Sequence, residues 1–260
     1  MKAADFKFDF ESPIVCTAIH NGHDLSPEVN ANMALPGADR LREEDPYTER
    51  FVDISGNTII GRLSRFDVDL NRRKETSIYL EPKDCWGLVA RKEQPSPVAL
   101  QQSSSMYDDF YEETFNYFKQ MEEKFGKFFV FDIHSYNHHR LGTDQPFDDP
   151  DKNPEVILGT SNMTEKWFPL VKKIQEDLKN YDYFNDHLDV RINVKYPGGN
   201  FPRWIHTNFP NSACVIALEF KKTFMDEWTG EVEDVEVQEL KKALASTLPG
   251  ILEYLKKSSH

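Results

Sequence analysis

Ser64-Arg65-Phe66-Asp67-Val68-Asp69-Leu70-Asn71-Arg72 sets two fixed cations and an amide on one short segment. A guanidinium offers a planar fork that grips a carboxylate through two parallel hydrogen bonds, and Asn71 adds a neutral donor and acceptor beside Arg65 and Arg72. That combination suits a small molecule bearing a carboxylate. The same residues alternate polar and apolar as any half-buried strand does, so the strip reads as strand-like and its chemistry depends on what lies beside it.

Histidines end two other apolar runs. Ser12-Pro13-Ile14-Val15-Cys16-Thr17-Ala18-Ile19 reads as a buried strand that stops at His20-Asn21-Gly22-His23, and Lys127-Phe128-Phe129-Val130-Phe131-Asp132-Ile133 stops at His134-Ser135-Tyr136. Open α/β sheets keep their sites where strands end in this way. A third run, Ala213 to Leu218, leads straight into Glu219, and a carboxylate after such a run is costly unless paired or used. Two histidines, a carboxylate and a guanidinium strip are the usual parts of a zinc hydrolase. Singly, each is as readily a core histidine or a solvated charge.

These residues need a frame. Strand-type segments alternate with helical patterns, which predicts an α/β fold with a mostly parallel or mixed central sheet flanked by helices. At 260 residues without a repeat, the chain suits a single domain over 1–260. Gln94-Pro95-Ser96-Pro97 through Ser105 reads as a polar loop preceding a helix with Phe110, Tyr117, Phe118, Met121 and Phe125 along one side. His138 to Pro154 reads as a second long loop, placed to overhang the site as a lid or specificity element, its charges equally read as solvation. Thr164 to Asn180 and Val235 to Lys257 read as amphipathic helices that belong to the fold.

The formal charge of −13 argues against a nucleic-acid or anionic-membrane surface, so an anionic substrate must meet a local cationic pocket. The amino terminus lacks the apolar core of a signal peptide, and no apolar run approaches the roughly 20 residues of a membrane helix; a cytoplasmic protein is expected. Cys16, Cys85 and Cys214 lack metal-type or disulfide-type spacing and read as core thiols. Oligomeric state is not legible.

Five ordered motifs carry a resemblance. Ala18-Ile19-His20-Asn21-Gly22-His23, Arg42-Glu43-Glu44-Asp45-Pro46-Tyr47-Thr48, Ser64 to Arg72, Asp132-Ile133-His134-Ser135, and Tyr196-Pro197-Gly198-Gly199 followed by Ala217-Leu218-Glu219-Phe220 resemble the N-formylglutamate amidohydrolase family nearly end to end. Its fold is similar to that of zinc carboxypeptidases and aspartoacylase. The resemblance implies one metal ion per chain, ligated by His20 and His134. For the third ligand it favours the Glu44-Asp45 pair, with Asp45 the donor, whereas the spacing His20-x-x-His23 favours His23, in a departure from the His-x-x-Glu form of aspartoacylase. A mixed imidazole and carboxylate set suits zinc, with manganese or iron as other divalent choices.

On this reading Glu219 takes a proton from the attacking water and passes it to the departing nitrogen, with Arg65 helping to hold the oxyanion. Asn71 and Arg72 would hold one substrate carboxylate, and Arg203 or His206 a second. Gly198 and Gly199 would turn the backbone tightly and let substrate approach. Two anchors imply an N-acyl acidic amino acid such as N-formyl-L-glutamate. Two other classes stay open: a carboxypeptidase-type zinc amide hydrolase, and a ligand-binding relative without catalysis.

Overall fold

Long apolar runs become the centre of one sheet. The computed structural model describes residues 1–160 and 162–257. Its strands are β1 (Ala4–Lys7), β2 (Ile14–Ala18), β3 (Thr58–Gly61), β4 (Phe128–Tyr136), β5 (Val156–Gly159), β6 (Val190–Ile192) and β7 (Ala213–Lys221), in the spatial order β1-β3-β2-β4-β7-β5-β6. The β3-β2-β4-β7 centre is parallel and β5-β6 is parallel, whereas β1 on β3 and β5 on β7 are antiparallel. The expected α/β architecture with a mixed central sheet is therefore what the chain adopts.

Helices cover both faces, as strands buried on both sides require. They are α1 (Pro27–Asn32), α2 (Gly37–Glu43), α3 (Pro97–Phe125), α4 (Phe168–Asn180), α5 (Asn200–Asn208), α6 (Asp234–Ser246) and α7 (Leu248–Lys257). Because side chains alternate along a strand, Phe129, Phe131 and Ile133 of β4 pack with Ile174, Leu240 and Ile251 of α4, α6 and α7. Phe128 and Val130 pack on the other face with Phe110 and Phe118 of α3 and Phe201 of α5. Followed to the strand ends, that second alternation delivers Thr17, Asp132, His134 and Glu219. The apolar core on this face thus gives way to polar residues where β2, β4 and β7 finish.

Three local expectations are corrected. Gln94 to Ser105 is not all loop: α3 starts at Pro97, with Ser96 Oγ accepting from Ala99 N at 3.0 Å and proline at the first helical position. The carboxy-terminal helix is two, broken at Thr247, because Pro249 has no N–H to continue the ladder. Most consequentially, Ser64 to Arg72 is a chain of turns, not a strand. Its alternation arises because Asp67 and Asp69 are as buried as Phe66, Val68 and Leu70. Asp67 accepts from Ser26 N at 2.6 Å and from Ser103 Oγ of α3 at 2.7 Å, while Tyr107 and Tyr111 of α3 donate to the carbonyls of Arg72 and Leu70 at 2.8 and 2.6 Å.

Candidate active site

The ends of β2 and β4 bring His20 and His134 together, their ring centroids 4.8 Å apart. Asp45 joins them from the segment after α2, tied there by its backbone N–H donating to His20 O at 3.0 Å. Its Oδ2 stands 2.9 Å from His134 Nδ1 and 3.5 Å from His20 Nδ1. All three side chains are buried, and their donor atoms lie within 4.8 Å of one another.

Behind the histidines stand two more carboxylates. His20 Nε2 is hydrogen-bonded to Asp69 Oδ1 at 2.7 Å, and His134 Nε2 lies 3.0 Å from Asp132 Oδ2. An imidazole that ligates a metal through one nitrogen usually donates its other N–H to a carboxylate, which fixes the tautomer and raises its basicity. Here both Nδ1 atoms turn toward Asp45 and both Nε2 atoms toward acids, so the donor set fits a divalent cation. Asp132 is braced by Thr17 Oγ1 at 2.9 Å; Asp69 is held by Arg65 Nη2 at 3.0 Å and by the Tyr79 hydroxyl.

The electrostatics match that crowding. Burial alone would raise Asp45 and Asp69, but hydrogen bonds from His134 and His20 hold Asp45 well below the usual carboxylate range, and Arg65 and His20 do the same for Asp69. Burial would lower His134, yet Asp132 and Asp45 hold it well above an ordinary histidine. A cluster this rich in anions is the environment that a cation would relieve.

Glu219 sits on β7 directly across from His134 in the parallel register. Its carboxyl has no hydrogen-bond partner among the described residues. Burial pushes it up to about 8, with His134 opposing the rise and Asp45 and Asp132 adding to it. It lines a cavity of about 810 Å³, including the open mouth, that is also walled by His20, Asp45, Arg65, Asn71, Arg72 and His134.

His23 is not part of the cluster. Its Nδ1 is bonded to Glu44 and its Nε2 faces Arg40 Nη2 at 3.1 Å, so both ring nitrogens are committed, and the side chain is 43% exposed. The geometry therefore groups Asp45, not His23, with the two histidines. Glu44 is also taken, by Arg40 Nη1 at 3.1 Å and the Ser64 hydroxyl. Arg203 and His206 are likewise absent from the cavity wall: α5 carries both away behind β7, where His206 Nε2 accepts from Val215 N at 3.1 Å.

Gly198 and Gly199 do line the cavity. Gly198 has φ of +114°, and a Cβ on Gly199 would lie 2.2 Å from Asn71 Oδ1, which accepts from Phe201 N at 2.9 Å. The second glycine thus makes room for the Asn71 amide. Gly199→Ala is expected to displace Asn71 and lower kcat/KM by roughly 10–100-fold, with the circular dichroism spectrum retained; unchanged kinetics would show that Asn71 does not need this seat.

Sequence reasoning passed over several residues in or behind the cavity wall. Asp132 is two residues before His134 on the same strand face, a spacing that could have marked it. Arg140 lies in the loop expected to overhang the site and does reach the cavity; Lys222 follows β7 in a Lys-Lys pair that reads as solvated charge.

Residues 12–225 match the family model described as N-formylglutamate amidohydrolase. In structure, the chain is similar to an N-formylglutamate amidohydrolase from Ralstonia eutropha JMP134, with a TM-score of 0.77 at 16% identity over 99% of this chain and 100% of that one. It is also similar to a gene product of Agrobacterium tumefaciens, with a TM-score of 0.67 at 14% identity over 96% of each chain. None of the curated proteins matches in sequence. No helix among the described residues is long and apolar enough to cross a membrane.

Proposed function

The chain belongs to the N-formylglutamate amidohydrolase family, and on that premise we propose that its 1–260 domain hydrolyses the amide bond of a small N-acyl acidic amino acid. N-formyl-L-glutamate, giving formate and L-glutamate, is the substrate this reading names. One observation carries it: the buried His20, Asp45 and His134 donors face the unpartnered Glu219 across a cavity walled by guanidinium groups.

His20, Asp45 and His134 would hold one divalent ion, zinc by the chemistry of the donors. When bound, it would supply Lewis-acid polarisation of the amide carbonyl and of water. Glu219 takes the proton of the attacking water and returns it to the departing nitrogen; a carboxyl that its surroundings raise above the ordinary glutamate value is suited to both transfers. Arg65, fixed by Asp69 and by Tyr79 at 3.1 Å, adds positive charge where the oxyanion develops.

Asn71 and Arg72 take the substrate's α-carboxylate. Arg72 is the freer of the two strip cations, stacked 4.5 Å above the Tyr79 ring and only 3.5 Å from Asp69 through Nε. Arg72→Ala is expected to raise KM by roughly 10–100-fold, the loss of a charge-assisted hydrogen bond, with kcat less affected. A KM near that of the wild type would remove Arg72 from the binding role. The reading as a whole is tested by formate release from N-formyl-L-glutamate by the zinc-loaded protein, where no release would reject it.

A further inference from the structure

A dicarboxylic substrate needs a second cationic anchor, and α5 takes Arg203 away from the cavity. The wall beside Glu43 holds three cations that the reaction has not used; Arg42 is spent on Glu43 at 3.4 Å, on Asp39 at 3.7 Å and on the Trp228 ring, which leaves Lys222 and Arg140. Lys222 is only 2% exposed, yet it lines the cavity. Two of its N–H groups are spent on the carbonyls that bracket Glu43, Arg42 O and Glu44 O, each at 2.7 Å. An ammonium carries three donors. No acceptor for the third appears among the described residues, and a buried charged donor left unmade is costly.

Arg140 comes from the loop after β4. Its Nη2 and Nη1 bind Glu43 Oε2 and Oε1 at 2.6 and 3.4 Å, which fixes one edge of the guanidinium. Glu43 is itself buried and also 3.4 Å from Arg42 Nε. A guanidinium has five N–H donors in a rigid fork, and the Arg140 side chain is 36% exposed. The rest of its fork is therefore open at the cavity mouth, held in place by a carboxylate that the protein supplies. Glu227 faces this group too: its Oε1 accepts from the backbone N–H groups of His138 and His139 at 2.5 and 3.0 Å, while its buried Oε2 has no hydrogen-bond partner among the described residues and adds negative charge near Lys222 and Arg140 without bonding either.

We propose that Lys222 and Arg140 form a second anion subsite, which takes the side-chain carboxylate of an acidic N-acyl amino acid while Asn71 and Arg72 take the α-carboxylate. This rests on the amidohydrolase reading above. Lys222 supplies a fixed point charge, and Arg140, carried by a loop, completes the grip from the mouth. A site that hydrogen-bonds a charged oxygen rejects the neutral isostere because its buried donor would stay unpaired. The subsite thus selects glutamate over glutamine in the substrate.

The test compares N-formyl-L-glutamate with its neutral isostere N-formyl-L-glutamine in the zinc-loaded wild type, in Arg140→Gln and in Lys222→Met. The wild type is expected to favour the glutamate compound in kcat/KM, and each variant to shrink that ratio by roughly 10–100-fold. Arg140→Gln changes a partly exposed loop residue, so it carries the test if the buried Lys222 variant does not fold. Formate from both compounds with no wild-type preference would overturn the subsite and leave the amidohydrolase reading standing, as would a ratio unchanged in Arg140→Gln. Formate from neither would overturn both.

Discussion

Glu219→Gln is expected to lower kcat by roughly 10²–10⁴-fold, the usual worth of general acid–base catalysis, while metal content stays at the wild-type level. Glutamine keeps the size and polarity of the side chain but can neither take the proton from water nor return it to nitrogen. The same substitution makes an opposite prediction for stability. In the metal-free protein burial raises Glu219 from the ordinary glutamate value of 4.5 to about 8, so its ionised form is disfavoured on folding. That penalty is absent below 4.5, grows as pH rises through the interval, and is complete above about 8. Metal-free Glu219→Gln should therefore be at least as stable as metal-free wild type at pH 7, with an advantage that widens up to pH 8. Loss of turnover with unchanged or raised melting temperature separates chemistry from folding. Normal turnover would remove Glu219 from the mechanism.

A bound cation beside Glu219 would favour the carboxylate and bring its pKa below the metal-free value. The base must be ionised to act, so kcat/KM of the zinc-loaded enzyme is expected to rise with pH along an acid limb lying below about 8. Exchanging zinc for another divalent ion should move that limb, whereas a limb set by substrate ionisation would stay put.

What the chain disclosed about itself follows its physics. The runs through β4 and β7 were legible because strands covered on both faces stay apolar at every position, and the residues that end them, His134 and Glu219, stand out by breaking the run. The edge strands were not: β1 has four residues and β6 three, too few for any period. The strip at Ser64 to Arg72 misled because periodicity records polarity, not burial; Asp67 and Asp69 are polar and wholly buried, held by partners from α3, Ser26 and His20. Local spacing also placed His23 beside His20, but Glu44 and Arg40 are close only after α2 folds back. Arg140 and Lys222 belong to the same class of fact: nothing local distinguishes a cavity cation from a solvated one.

The choice between Asp45 and His23 leads to the other large effect. His20→Ala, His134→Ala and Asp45→Ala are each expected to drop bound zinc from about one per chain to near zero and to abolish formate release, whereas His23→Ala should retain the metal. Removing a ligand costs more than one bond here, because the remaining donors then crowd Asp69 and Asp132 without a cation between them. Asp69→Asn tests the outer layer: it takes the negative charge from the acceptor 2.7 Å from His20 Nε2 and should weaken zinc affinity by about 10–100-fold without removing a ligand. Elemental mass spectrometry on the purified variants reads both effects. Zinc lost in His23→Ala and kept in Asp45→Ala would reverse the ligand assignment, and zinc absent from the wild type even after it is supplied would remove the metal-assisted mechanism altogether.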